Sequence, residues 1–442
     1  MRRRISTGVV GLAALALVVA GCGGDESSGS GELDKDACAP ITDGSAKGEK
    51  LSVWIMEGTN PDATPFFKEL GAEFEKQTGA ELDVQFVAWA DAQQKFNNAI
   101  GGGTTPDVAE TGTTWTPGFA DAGALTDIDA CVDEAGVRED LVDSLEEAGT
   151  YEDSLYGMPW YAGVRSIIYR KDVFKKAGVE PPESWDELVD VANKVKKAAP
   201  DMLPFPVAGD SEYGADPFIW GAGGEIATEE DGQWTSHVDS DEAREGIEFY
   251  TGLDTEHGFS SAAARTWDET GLSDAFARGE ASMIISGSWT PGALVEANPD
   301  LKGKIGAFPI PGKDEGMSPS FVGGSHLSVF NTADNPDLAW TFVQMMTTGE
   351  FAQKWGEQTG YFPGTEPLLD KVIEQNDPLV APFAQQMVEA GASVPVTPMY
   401  EKVQGKSTIP AMVQEIITGK ATVEEATSSA AKEMNTIFES GS

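Results

Sequence analysis

The chain has 442 residues, 40% of them apolar, and sets 73 acidic side chains against 30 basic ones, a net charge of −43. That balance repels nucleic acid and anionic lipid, and no basic stripe is present to overcome it. The apolar content supplies a sizeable core, and the length exceeds one ordinary domain, so two lobes are expected.

The first element is a leader. Arg2, Arg3 and Arg4 form a positive start, and residues 9–20 are almost all apolar, a stretch too short to span a bilayer as a helix. It ends in Val19-Ala20-Gly21-Cys22, small residues before a cysteine, which resembles the lipobox of bacterial lipoproteins. That resemblance implies cleavage after residue 21 and a diacylglycerol on Cys22; an ordinary secretory signal with an incidental cysteine is the alternative. Residues 1–21 carry three Arg and no acid, so the exported chain stands at −46. With Cys22 lipidated, Cys38 and Cys131 remain as an even pair in an oxidising compartment and are expected to form a disulfide, two free buried thiols being the alternative. One thiol pair and three histidines (His237, His257, His326) assemble no zinc spacing, so no metal or other cofactor is expected.

Residues 22–48, rich in Gly, Ser and charge, read as a lipidated tether pinned part-way by Cys38. Leu51, Val53 and Ile55 then alternate as on a strand. Phe66, Phe67, Leu70 and Phe74 recur at helical spacing, and Thr78-Gly79 stops that helix. Leu82, Val84 and Phe86 alternate again, and a helix from Asp91 ends at Gly101-Gly102-Gly103. Pro106-Asp107-Val108-Ala109 is a short third strand, so the β-α-β-α-β order implies a parallel sheet. A second α/β region follows Pro159, with strands at 164–170, 281–285 and 325–330. Ser184 with Glu187, and Thr422 with Glu425, predict capping boxes for two helices. Pro336 opens another.

These segments resemble, in order, landmarks of the family 1 extracellular solute-binding proteins, the group that includes maltose-binding protein. The matching stretches are Pro106-Asp107-Val108 with Gly123-Ala124-Leu125-Thr126-Asp127-Ile128; Tyr156-Gly157-Met158-Pro159 with Tyr169-Arg170-Lys171-Asp172; Ser184-Trp185-Asp186-Glu187-Leu188; and Phe276-Ala277-Arg278-Gly279-Glu280-Ala281 with Gly287-Ser288-Trp289. The resemblance spans about residues 50–437. It implies a two-lobed, type II periplasmic-binding-protein fold of α/β class. Lobe 1 is then expected from 49–160 and 312–360, and lobe 2 from 161–311 and 361–442. Chain crossings fall near 159–162, 309–311 and 361–363, with the ligand between hinged lobes. Its partners would be a small-molecule sugar and the transmembrane subunits of an ABC importer. The protein would be a monomer on the outer face of the membrane, touching it through the N-terminal lipid only.

A sugar presents flat C–H faces, which aromatic rings cover, and a rim of hydroxyls, which charged and amide groups bind. Several aromatic residues fall where strands end: Trp89, Trp115, Trp160, Tyr161, Trp220, Trp289 and Tyr361. Trp289 matches a family position that stacks on ligand, and Gly287 beside it leaves room. Trp54, Trp185 and Trp340 read as core. Polar candidates at strand ends are Glu57 with Gly58 and Thr59, Asp91, Glu110, Thr114, Arg165, Asp216, and Gly323-Gly324-Ser325. Trp115 stands where maltose-binding protein has a charged residue, so maltose is not carried over. An enzyme such as a secreted glycosidase is the rival class, but the chain has no G-x-S-x-G, HExxH or Walker motif, and acid pairs are uninformative among 73 carboxylates. The same clamp holding a polyamine is the second rival, since Glu57 and Glu110 near Trp115 suit a cation.

Overall fold

The computed structural model describes residues 33, 38–57, 61–230 and 232–441. The leader, Cys22, Gly58 and Thr59 therefore lie outside the described residues. Strand β1 (Lys50–Glu57) forms where alternation demanded it, with Leu51, Val53 and Ile55 fully buried. Helix α1 (Thr64–Thr78) buries Phe66, Phe67, Leu70 and Phe74 on one stripe. Gly79 ends it at φ +84°, a left-handed turn that glycine adopts without strain, and its N–H caps Glu75 O. Strand β2 (Glu81–Ala88) pairs in parallel with β1, Leu51 opposite Leu82. Helix α2 (Trp89–Gly102) leads to β3 (Val108–Gly112), parallel to β1 on its other side. The third strand starts two residues later than the sequence pattern suggested. Asp107 is instead an acceptor, taking hydrogen bonds from Ser52 N and Oγ.

The long strand Met158–Arg170 is the axis of the molecule. Its first half runs antiparallel to the return strand Ser320–Val329, which also pairs with β3. Its second half pairs with Met283–Gly287 and Ile305–Phe308. One sheet path thus runs through two α/β bodies: Ile305–Phe308, Met158–Arg170, Ser320–Val329, β3, β1, β2. The strand expected at 164–170 extends back to Met158 because a bulge lies opposite Ser325 and His326, where the ladder tolerates Pro159. The bulge turns Trp160 into the first body, against Trp355 at 4.8 Å.

The first body packs β1, α1 and helix Pro336–Thr347 around a core that includes Phe74, Phe342 and Trp340. Cys38 and Cys131 are joined there by a disulfide with a Cα–Cα distance of 4.7 Å, closing 93 residues. The second body is built on helices Trp185–Ala198, Glu212–Gly221 and Asp241–Thr255 with the C-terminal helix Val423–Glu439. Thr422 and Glu425 make a complete capping box. At Ser184 only half the expected box forms: Ser184 Oγ accepts Glu187 N, but the Glu187 carboxylate takes Glu183 N instead. Trp185 and Trp340 are core residues. Trp54 lies on the outer face of β1, half-buried against Phe96 with the Lys95 ammonium 3.8 Å above its ring. Residues 309–311 stay with the second body, where Trp185 Nε1 donates to Pro311 O and Lys313 pairs with Glu245. Among the described residues no helix is long and apolar enough to cross a membrane, and no group of His, Cys, Asp and Glu is placed to hold a metal.

Candidate ligand-binding cleft

The carboxyl ends of β1, β2 and β3 open onto a cleft of about 690 Å³ between the two bodies. Open α/β sheets present their ligand-binding crevice at this end. Glu57, Trp89, Thr114 and Trp115 line the first-body side. The Trp89 and Trp115 rings lie 5.4 Å apart. The floor is made where the chain crosses: Tyr161 on the long strand, Gly323, Gly324 and Ser325 on the return strand, and Tyr361. The Tyr161 and Tyr361 rings stack at 3.9 Å, and Trp289 continues the surface at 4.9 Å from Tyr361.

Trp289 owes its position to two glycines. A Cβ on Gly163 would fall 2.3 Å from the Trp289 ring, and one on Gly287 would fall 2.2 Å from it. Both distances are far inside contact, so only glycine lets the indole lie across the two strands. Gly287 therefore seats the ring without itself lining the cleft, and Gly163, which sequence reasoning passed over, does both.

Arg165 projects from the long strand into the second-body wall. Its guanidinium holds both oxygens of Glu269, at 2.8 and 3.0 Å, and lies 4.1 Å from the Tyr213 ring. Burial works against its charge, but the paired Glu269 holds it above its ordinary value.

Glu110 lies beneath the floor, 1% exposed. It accepts hydrogen bonds from Met56 N and Ser325 Oγ, both at 2.8 Å, and from the Tyr161 hydroxyl. Burial pushes its carboxyl up to about 7, against the pull of those three donors. It thus knits β1, the long strand and the return strand beneath the floor.

Four other sequence candidates sit away from the cleft lining. Trp160 is 1% exposed in the first core. Trp220 packs with Ile219 and the C-terminal helices, and Asp91 is exposed on the first turn of α2. Asp216 lies one helical turn behind Glu212, fully buried, with no hydrogen-bond partner for either carboxylate oxygen among the described residues. Burial and then Glu212 push its carboxyl well up. Strand-end logic failed for Trp220 and Asp216 because both belong to one helix, Glu212–Gly221, which Gly214 and Pro217 disguised in the sequence.

The structure adds Gln93, Asp210, Ser211, Glu212, Tyr213, Asp268, Phe321 and Gln404 to the lining. Two of these carried a readable signal. Ser211 and Asp268 occupy N-cap positions, so the helices they precede start at the cleft wall.

A family model for "bacterial extracellular solute-binding protein" matches residues 59–352. The chain belongs to this family. Among the relatives of this solute-binding protein is the diacetylchitobiose-binding protein DasA of Streptomyces coelicolor, 27% identical over 434 residues and covered to 96% on both sides. The maltotriose-binding protein of Pyrococcus abyssi is 26% identical, over 77% of this chain and 72% of its own length. A solute-binding protein of Thermotoga lettingae, solved with alpha-D-tagatose, superposes with a TM-score of 0.80 at 26% identity, covering 88% of this chain and all of the other. The solute-binding fold is thus two-lobed and mixed α/β, of the type II periplasmic class. The family is one of exported binding proteins, not of enzymes.

Proposed function

We propose that this solute-binding protein captures a carbohydrate, a di- or oligosaccharide, between two hinged lobes and delivers it to the permease of an ABC importer. The observation that carries the reading is two aromatic surfaces lining one cleft, Trp89 with Trp115 on the first-body side and Trp289 with Tyr361 along the floor. Aromatic rings suit the C–H faces of a sugar, and Thr114, Gln93 and Gln404 are within the lining to meet its hydroxyls. The cleft volume falls within the roughly 300–1,000 Å³ of small-ligand sites. The named relatives bind sugars, which supports the same class here.

The remaining parts of the proposal follow the same reading. The leader is removed and Cys22 is lipidated, which tethers a monomer to the outer face of the membrane. Cys38 and Cys131 stay oxidised there. The lobes divide near 160 and 361, and the second crossing runs along the return strand Ser320–Val329, which faces the long strand across residues 322–327.

The test is thermal unfolding of the protein against panels of mono- and oligosaccharides, polyols, polyamines and peptides. A ligand at a hundred times its Kd adds about 2.7 kcal/mol to stability, enough to raise the melting point. The reading expects a rise with saccharides that Trp289→Ala removes. A rise with polyamines or peptides alone would discard the carbohydrate and keep the clamp.

A further inference from the structure

Among the described residues the cleft lining is unevenly charged, and its one cation is already committed. Arg165 is held by both oxygens of Glu269, and its side chain is 9% exposed. Lining the same cleft are Glu57, Asp210 and Asp268, none of which forms an ion pair among the described residues. Asp268 spends one oxygen on Gly271 N at 2.7 Å, capping the helix Glu269–Ala277. Its other oxygen has no hydrogen-bond partner among the described residues. Asp210 faces it across the second-body wall: partial burial and then the Asp268 charge push the Asp210 carboxyl up. Two carboxylates therefore repel one another at the cleft wall, with no counter-charge between them among the described residues.

An independent observation marks the same spot as incomplete. Ser211, between Asp210 and Glu212, lines the cleft at 5% exposure. Among the described residues its hydroxyl has no hydrogen-bond partner, not even the cap that its N-cap position offers. The two helix N-termini at Ser211 and Asp268 each return about half a positive charge, less than the carboxylates bring.

We infer that the cleft selects a saccharide carrying a protonated amino group, with the ammonium placed at Asp210, Asp268 and the Ser211 hydroxyl and the sugar faces against Trp289 and Tyr361. The inference rests on the carbohydrate reading above and narrows it to one class. A neutral sugar closing this cleft would strip water from two like charges and give nothing back, whereas an ammonium offsets both. The aromatic surface beside the acids also attracts a cation. An anionic sugar meets repulsion from Asp210 and Asp268, and Arg165 is not free to receive it.

The experiment is calorimetric titration of the full chain with matched pairs: amino-saccharides of several linkages, each against its N-acetylated or hydroxyl parent of identical ring number, with spermidine as a non-sugar amine. The amino member is expected to bind at least tenfold tighter than its parent, with the preference shrinking as salt rises. Asp268→Asn keeps the helix cap and removes only the charge. Combined with Asp210→Asn, it is expected to abolish the preference, so that the amino member and its parent bind within twofold of one another. Parents that bind as well as their amino partners would overturn the inference and leave the carbohydrate reading standing. Binding of spermidine alone would overturn both, and silence from every amino member overturns the inference whatever the parents do.

Discussion

Ser325 and His326 are neighbours on one strand whose alternation sends them to opposite environments. Ser325 turns to the cleft floor and donates to Glu110. His326 turns into the first body, fully buried between the Thr116 hydroxyl at Nδ1 and Leu145 O at Nε2. Burial pushes the imidazole down to about 4. The unfolded chain takes up that proton near 6.5, so between about 6.5 and 4 it binds more protons than the native state, and stability is lost as pH falls through that window. The loss amounts to about 3 kcal/mol for this one group. Glu110 has the opposite sign. Its native value of about 7 lies above the ordinary 4.5, so its contribution grows as pH falls from 7 to 4.5. Denaturant unfolding at pH 7 and pH 4 separates the two: His326→Gln is expected to gain about 3 kcal/mol on wild type at the lower pH. Parallel losses in both proteins would contradict a neutral buried imidazole. At the same scale, Gly163→Ala places a methyl 2.3 Å from the Trp289 ring. It is expected to displace the indole and weaken ligand binding by tenfold or more, at a stability cost of about 1–3 kcal/mol. Unchanged affinity would show that Trp289 need not lie where it does.

Elements with local signals were legible in the sequence. β1, α1 and β2 followed from alternation and from Gly79, and the Thr422 capping box formed as its spacing required. The long strand was read short because Pro159 is a strand breaker by itself, and only the bulge opposite Ser325 and His326 makes it tolerable. The helix Glu212–Gly221 was missed because Gly214 and Pro217 are poor helix formers. Gly214 is there for packing, since a Cβ would lie 2.6 Å from the Tyr250 hydroxyl. The Cys38–Cys131 link ties the segment before β1 to the helix Asp129–Ala135. Closing 93 residues, it is worth about 4–5 kcal/mol in the chain-entropy view. Replacing both cysteines by serine is expected to lower the denaturant midpoint by that equivalent. An unmoved midpoint would mean that the link does not form in the folded protein.

At the scale of the whole molecule, the cleft draws residues from Glu57 to Gln404, and no local pattern connects them. Strand ends could be read, so Glu57, Thr114, Trp115, Trp289 and Tyr361 were named. The wall from Asp210 to Tyr213 could not, because it depends on how one helix packs against the return strand. Contacts outside the crossings also join the bodies: Gln93 Nε2 donates to Glu401 O at 2.9 Å, and Asp62 N to Glu296 Oε2 at 3.3 Å. Each pairs a first-body group with a second-body one, as closure over a ligand requires. The measurement that bears most directly on carbohydrate capture is calorimetric titration of the best saccharide into wild type and Trp289→Ala. A central stacking ring is worth about 2 kcal/mol, so the variant is expected to bind some 30-fold more weakly with its fold intact. Equal affinity in the two proteins would contradict the account, because the sugar would then be held somewhere other than this cleft.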